Sequence, residues 1–187
     1  MSAKKLNIVI AGATGFVGLD LIKFLSNHPK VKIKYLCAQK NIGKKIQYFD
    51  KRITKNLPKI SKLKSVDWAM IDILFTALPN GESQIISKTL VNKKLKIIDL
   101  SADFRLSDSS EYKKFYGREH MAKKLINNSI YALSEFTKNK LKKFKIIACP
   151  GCYPTSIQLP LIPLLKKNLI NNKNIIIDSK SGYSGAG

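Results

Sequence analysis

"KLNIVIAGATGFVGLDLIKFLSNHP", residues 5–29, decides the fold. An apolar run from Leu6 closes in Gly12, the pattern of a parallel strand buried on both faces. Phe16, Val17, Leu21, Ile22 and Leu25 then recur at helical spacing until Pro29 stops the helix. Between strand and helix, "GATGFVG" sets Gly12, Gly15 and Gly18 in a G-x-x-G-x-x-G spacing. Glycine in that setting permits a tight turn, close approach of the backbone to a pyrophosphate, and tight helix packing. The helix start turns its unpaired N–H groups and the positive end of its dipole toward the phosphates. This reads as a dinucleotide-binding loop. The plainer alternative is a turn that uses glycine for packing alone.

The same grammar continues outward. "VKIKYLCA" (31–38) is a second strand; residues 40–66 are rich in Lys and hold one expected strand near Ile53. "DILFTALP" (72–79) is a buried strand, "GESQIISKTLVNK" (81–93) its helix, and "LKIIDLSAD" (95–103) a further strand. Residues 104–143 read as a long connection with short helices, and "FKIIAC" (144–149) as a strand. "PTSIQLPLIPLLKKNL" (154–169) opens a helix that tolerates Pro154 in its first turn, while Pro160 and Pro163 are expected to kink it or delay its start. "NNKNIIIDSKSGYSGAG" (171–187) starts another strand. Strands alternating with helices imply an α/β fold, a doubly wound parallel sheet of Rossmann type. The ending has neither a helix after its last strand nor a capping pattern, so the chain reads as an N-terminal piece of a longer protein.

Composition narrows the class. With 187 residues, 44% of them hydrophobic, a core is within reach. No apolar run reaches the length of a membrane span, and the start is no signal peptide because its apolar stretch runs straight into the glycine loop. Three cysteines exclude a secreted disulfide scaffold, so the expected location is cytoplasmic. The net charge is +22, yet Arg occurs only at Arg52, Arg105 and Arg118. Dispersed Lys reads as a solvated surface that attracts small anions, and no nucleic acid or membrane partner is expected. The dinucleotide choice follows from charge as well. No acid lies between Asp20 and Asp50, where an NAD site usually carries one, and Lys40, Lys44 and Lys45 are there instead. NADP(H) is therefore expected over NAD(H), with Lys40 as a contact for its extra phosphate.

"IIACPGCYPTS" (146–156) spaces Cys149 and Cys152 as C-x-x-C. A metal site is not expected: zinc needs about four ligands, and Cys37, His28 and His120 do not have ligand spacing to the pair. A redox dithiol is the stronger rival, although dithiol domains carry no dinucleotide loop ahead of the motif. The third option is one nucleophile. Cys152 falls at a helix start, where dipole and free N–H groups favour a thiolate and could stabilise an oxyanion. An epimerase-like reading fails because none of the seven tyrosines has Lys four residues on.

These residues carry a resemblance. "GATGFVG" (12–18), "ALPNG" (77–81), "DLSADFR" (99–105), "YALSE" (131–135), "PGCYPTS" (150–156) and "SGYSGAG" (181–187) stand in the order of the N-acetyl-gamma-glutamyl-phosphate reductase family, which is related to aspartate-semialdehyde dehydrogenase. "PGCYPT" with "SADFR" separates it from the aspartate enzymes. The resemblance implies Cys152 as catalytic nucleophile. It implies a cofactor site of Gly12, Thr14, Gly15, Phe16, Val17 and Gly18, with Leu78, Pro79 and Gly81 nearby, and Ser181, Gly182, Ser184 and Gly185. It implies Arg105 on the substrate phosphate, against the alternative of a structural arginine paired with Asp99 or Asp103. Gln158 is a further substrate candidate, against a merely solvated helix position. Two positions depart from the family pattern: Cys149 stands where Asn is common, and "YALSE" replaces "YGLPE". Residues 1–150 would be the NADP-binding domain and 151–187 the truncated start of an α+β catalytic and dimerisation domain. The implied reaction is NADPH-dependent reduction of a small acyl phosphate through a cysteine thioester, in arginine biosynthesis, by a homo-oligomer. The catalytic histidine would lie outside this chain, leaving the 187 residues alone with little activity. The alternatives are a related reductase of lysine biosynthesis and a non-catalytic dinucleotide- or nucleic-acid-binding module.

Overall fold

The first strand, β1 (Leu6–Ala11), is buried on both sides because its alternate residues feed two separate cores. Ile8 and Ile10 join Ile22, Ile33, Leu36 and Phe75 on one face, while Val9 and Ala11 join Leu74, Ile97, Phe104 and Ile146 on the other. Helices cover both faces: α1 (Phe16–Ser26) packs Ile22 on the first, and α2 (Glu82–Leu90) packs Leu90 on the second. Burying one such aliphatic side chain is worth about 1.5–3 kcal/mol, which is why the apolar runs dictate the sheet.

The other strands are β2 (Val31–Cys37), β3 (Ile60–Ser61), β4 (Ile73–Thr76), β5 (Lys96–Asp99), β6 (Ser129–Tyr131) and β7 (Ile146–Ala148). The computed structural model describes residues 4–186. The sheet order is β3-β2-β1-β4-β5-β7-β6 and every pair is parallel. The chain winds outward from β1 to β3, returns to β4 on the other side of β1, continues to β5 and the edge strand β6, and comes back with β7 between those two. The return to β4 makes the C-terminal ends of β1 and β4 the topological switch point, the usual ligand crevice of an open α/β sheet. The doubly wound parallel sheet expected from the sequence is the fold observed.

Four local expectations are corrected. No strand forms at Ile53: its N–H closes a turn onto the Asp50 carbonyl at 3.2 Å, and its side chain is a buried loop residue. The edge strand is β3 instead, only two residues long. The connection 104–143 contains, besides α3 (Ser109–Tyr116) and α4 (Ser134–Thr137), a true strand, β6, whose three residues pair with β7. The last helix, α5 (Cys152–Lys166), runs unbroken through Pro160 and Pro163. Each proline removes one N–H, from the bonds that the Ser156 and Leu159 carbonyls would accept, without ending the helix. Finally, Ile175–Ile177 form no strand, since no segment among the described residues offers them a ladder. The chain divides into two compact units, Met1–Cys149 and Pro150–Gly187. Among the described residues, no helix is long and apolar enough to cross a membrane.

Candidate functional site

The glycine loop lies at the switch point. Gly12 and Ala13 both donate N–H to the Cys37 carbonyl, at 2.9 and 3.0 Å, which pins the loop to the end of β2. Gly12 has φ +87°, and a Cβ there would stand 2.0 Å from the Ala77 carbonyl oxygen, so only glycine fits. Gly18 is the helix-packing glycine: its Cβ would stand 2.1 Å from the Gly12 carbonyl oxygen. Gly15 differs. A Cβ there would meet only Gly12 O, at 3.6 Å, so the space above this turn is open. Gly15 is also the N-cap of α1, which starts with no side-chain cap and no acid in its first turn. The leading N–H groups of α1 are thus left for an anion, and the open turn gives a pyrophosphate room to approach. Thr14 is half-buried, and Phe16 and Val17 are exposed on the first turn. On these grounds the residues present fit a dinucleotide.

A cleft of about 340 Å³ adjoins this loop, walled by Ala11, Gly12, Cys37, Ala38, Gln39, Lys62, Leu63, Leu78, Glu82 and Ile86. Of the expected cofactor residues, Gly12 and Leu78 line it. Lys40 is exposed and does not line it; the lysine that does is Lys62. Gln39 Nε2 donates to both Glu82 carboxylate oxygens, at 3.3 and 3.4 Å.

The Leu78–Gly81 loop is held from below by Asp103. This fully buried carboxylate accepts from Gly81 N–H at 2.7 and 2.9 Å and from Gln84 N–H at 3.2 Å. It also accepts from Gln84 Nε2 at 3.0 Å and from the Tyr112 hydroxyl at 2.7 Å. Asp103 therefore caps α2 from outside the helix, occupying an N-terminus that an anion could otherwise take. Arg118 Nη1 donates to the Asn80 carbonyl at 2.8 Å, and Pro79 is exposed. Burial holds the His120 pKa below the ordinary histidine value. Its Nδ1 accepts from Ala122 N–H at 3.2 Å, so Nε2 carries the proton and donates to the Asp103 carbonyl at 2.8 Å. His120 is thus a structural histidine.

At the ends of β4 and β5, Asp99 Oδ1 accepts from the Thr76 hydroxyl (2.7 Å), the Ser101 hydroxyl (2.8 Å) and Ser101 N–H (3.1 Å). Its Oδ2 is buried and has no hydrogen-bond partner among the described residues. Burial raises the Asp99 pKa, and the Thr76 and Ser101 bonds oppose that only in part. Arg105 pairs with neither carboxylate. Its Nε donates to the Cys149 carbonyl at 2.9 Å and its Nη2 to the Leu100 carbonyl at 3.1 Å. The Cys149 thiol is pushed up to about 11, by burial first and then by the Asp99 charge, with Arg105 opposing.

In the second unit, Gly151 is the N-cap of α5 and Cys152 its first residue. No side chain caps this helix start, no acid lies in its first turn, and Cys152 is exposed. Gln158 is half-buried on the same helix. Six positions at about 100° each turn it about 120° away from the Cys152 face. Ser181, Gly182 and Gly185 are exposed; the Ser184 side chain falls outside the described residues. Among the described residues, no three His, Cys, Asp or Glu side chains gather as a metal site. Sequence reasoning missed Gln39, Lys62 and Glu82. The spacing of Gln39 from the glycine loop could have flagged it, but nothing local marks Lys62, which is placed by a two-residue strand.

Residues 7–144 match the family model described as semialdehyde dehydrogenase, NAD binding domain, and residues 152–187 match semialdehyde dehydrogenase, dimerisation domain. A relative from Oryza sativa subsp. japonica, named "Probable N-acetyl-gamma-glutamyl-phosphate reductase, chloroplastic", is 44% identical over 100% of this chain and 45% of its own. One from Ehrlichia ruminantium (strain Gardel), named N-acetyl-gamma-glutamyl-phosphate reductase, is 44% identical over 98% of this chain and 53% of its own. The chain thus spans about half the length of the curated relatives it matches. The crystal structure of aspartate semialdehyde dehydrogenase II from Vibrio cholerae shares the fold, with a TM-score of 0.65 at 18% identity, over 88% of this chain and 43% of that one.

Proposed function

This chain belongs to the semialdehyde dehydrogenase family, and from that premise we propose that the complete gene product reduces N-acetyl-gamma-glutamyl phosphate to N-acetylglutamate 5-semialdehyde and phosphate, with NADPH as reductant. The carrying observation is an exposed thiol on the first residue of an uncapped helix, in a chain whose other unit presents an open glycine turn at a switch point. The names of the relatives support the substrate.

The Cys152 thiolate attacks the acyl carbon of the acyl phosphate. Phosphate leaves with the electrons of the broken C–O bond, and a thioester remains. The N–H groups at the α5 start serve the oxyanion of that step. What the reduced dinucleotide supplies when bound is hydride, the two electrons that turn the thioester into a hemithioacetal. That adduct collapses to the aldehyde and returns the Cys152 sulfur. Arg105 keeps its remaining N–H groups for the substrate phosphate, since Nε and Nη2 already hold backbone carbonyls. The open turn at Gly15 and the N–H groups that begin α1 would hold the pyrophosphate, with Gly12 and Gly18 shaping that turn, and Lys62 in the adjoining cleft favours NADP(H). The match of residues 152–187 to a dimerisation domain supports a homo-oligomer, and a cytoplasmic location belongs to the same reading.

The test follows reduction of NADP by the complete gene product with N-acetylglutamate semialdehyde and phosphate. Cys152→Ser should abolish turnover and Cys149→Ser should leave most of it. Equal loss in both would restore the dithiol reading, and no turnover by wild type would refute the proposal.

A further inference from the structure

The cleft beside the glycine loop has a charged rim that neither the loop nor the thiol uses. Gln39 lies two residues past β2. That is where, about 20 residues after the glycine loop, an acid usually receives the ribose hydroxyls. The side chain here is a neutral amide, yet a carboxylate is present. Glu82, the first residue of α2, receives the Gln39 amide on both oxygens at 3.3 and 3.4 Å. Helix α2 thus returns to the cleft the acid that β2 lacks.

Strand β3 brings the opposite charge. Its register sets Leu36 beside Ile60 and Cys37 beside Ser61, and Ala38 N–H donates to the Ser61 carbonyl at 3.2 Å. The next residue along β3 is Lys62, which therefore emerges abreast of the turn holding Gln39 and lines the same cleft. A lysine and a glutamate thus line one cleft, on the side where a ribose 2′ substituent would lie.

Resting on the reading that this cleft takes the adenosine half of the cofactor, we propose that Lys62 and Glu82 set the choice between NADP(H) and NAD(H). Lys62 pairs with a 2′-phosphate. Glu82, held by Gln39, accepts a free 2′-hydroxyl and repels a phosphate. Lys40 takes no part in the selection. The protein discriminates by the balance of two opposed charges supplied by β3 and α2.

The experiment titrates the complete gene product with NADPH and with NADH, following dinucleotide fluorescence without turnover, and records a melting temperature for every variant. Lys62→Ala should weaken NADPH about tenfold and NADH less than about twofold, because one ion pair is lost from only one ligand. Lys62→Glu should weaken NADPH further. Glu82→Gln should tighten NADPH by about threefold or more and weaken NADH, while Lys40→Ala should leave the ratio unchanged. Wild-type affinity for NADPH should fall with ionic strength more steeply than that of Lys62→Ala. Equal effects of Lys62→Ala on both dinucleotides, or a Lys40→Ala effect as large, would overturn the assignment and leave the NADP(H) reading standing. Wild-type protein that binds neither dinucleotide would overturn that reading, and this inference with it.

Discussion

Three alanine substitutions in one loop should have three different outcomes. At Gly18 the backbone is ordinary helix, where alanine is favoured over glycine by about 1 kcal/mol. The new Cβ, however, lies 2.1 Å from the Gly12 carbonyl oxygen, and atoms of this kind do not approach closer than 3.0 Å. Backbone must therefore move by about an ångström, an overpacking that costs roughly 3 kcal/mol, the upper end of its usual range. The net loss is about 2 kcal/mol, or a fall in Tm of about 4–8 °C for a chain of this size. Gly12→Ala adds backbone strain at φ +87° to a Cβ standing only 2.0 Å from the Ala77 carbonyl oxygen. Its cost of about 4 kcal/mol or more is a large part of a typical domain's stability, and soluble yield should collapse. Gly15→Ala meets only an ordinary contact at 3.6 Å and loses about 0.5 kcal/mol as an N-cap. Its Tm should stay within about 2 °C of wild type, yet NADPH affinity should fall at least about tenfold, because the methyl enters the space assigned to the pyrophosphate. Thermal melts and an NADPH fluorescence titration on the same preparations decide this. Gly18→Ala melting with wild type would refute the packing argument. Gly15→Ala binding with wild-type affinity would mean that no pyrophosphate lies over this turn.

Other perturbations probe the neighbouring polar groups. Asp99 has a raised pKa in the fold, so its contribution to stability is fullest below the unfolded-state carboxylate pKa and is lost as pH rises through the folded one. Asp99→Asn should therefore gain on wild type from pH 4 to pH 8 in denaturant unfolding; a constant difference would show that Asp99 does not titrate as its burial requires. Asp103→Asn turns an N–H toward Gly81 N–H or Gln84 N–H and should cost about 1–3 kcal/mol, with faster hydrogen exchange at both amides. Unchanged exchange there would refute the external cap on α2. With the Cys149 thiol pushed up to about 11 from 9.0, its alkylation by iodoacetamide at pH 8 should run about a hundredfold below that of an ordinary thiol. Peptide mapping should then find exposed Cys152 labelled first, and equal rates would contradict the burial of Cys149.

How much of this was legible depended on whether the deciding contact was local. β1, the glycine loop and α1 form one continuous segment whose apolar period and glycine spacing carry their own meaning, so they read correctly. β3 and β6 did not, because strands of two and three residues have no measurable period and exist only as partners of β2 and β7. Ile53 misled for the converse reason: an apolar residue in a core need not belong to a strand when its N–H closes a turn. The same division runs through the candidate site. Cys152 could be placed by its own helix start. Lys62 and Glu82 could not, since they line one cleft only after β3 and α2 have been set beside β2, and the charge pattern along the chain reaches no further than Lys40.

The segment "DLSADFR" shows why a motif's charged residues are not all chemical. Asp99 and Asp103 both turn inward. One receives Thr76 and Ser101 across the ends of β4 and β5; the other holds Gly81, Gln84 and Tyr112. Between them they join the end of β4, the start of α2 and the end of β5, the edges that frame the switch point. Their removal would loosen the Leu78–Gly81 loop before it touched any reacting atom. Arg105 departs from this pattern. It spends Nε and Nη2 on the Cys149 and Leu100 carbonyls, which fixes its fork at the end of β7, and a guanidinium has further donors in the same plane. A merely structural arginine could be replaced by Lys at modest cost in stability. An arginine that also binds phosphate could not, because the planar fork is what allows one group to do both. Arg105→Lys in the complete gene product should therefore keep Tm within about 4 °C of wild type while raising KM for the phosphate-bearing substrate about tenfold or more. A variant with unchanged KM would leave Arg105 with the carbonyl clamp alone.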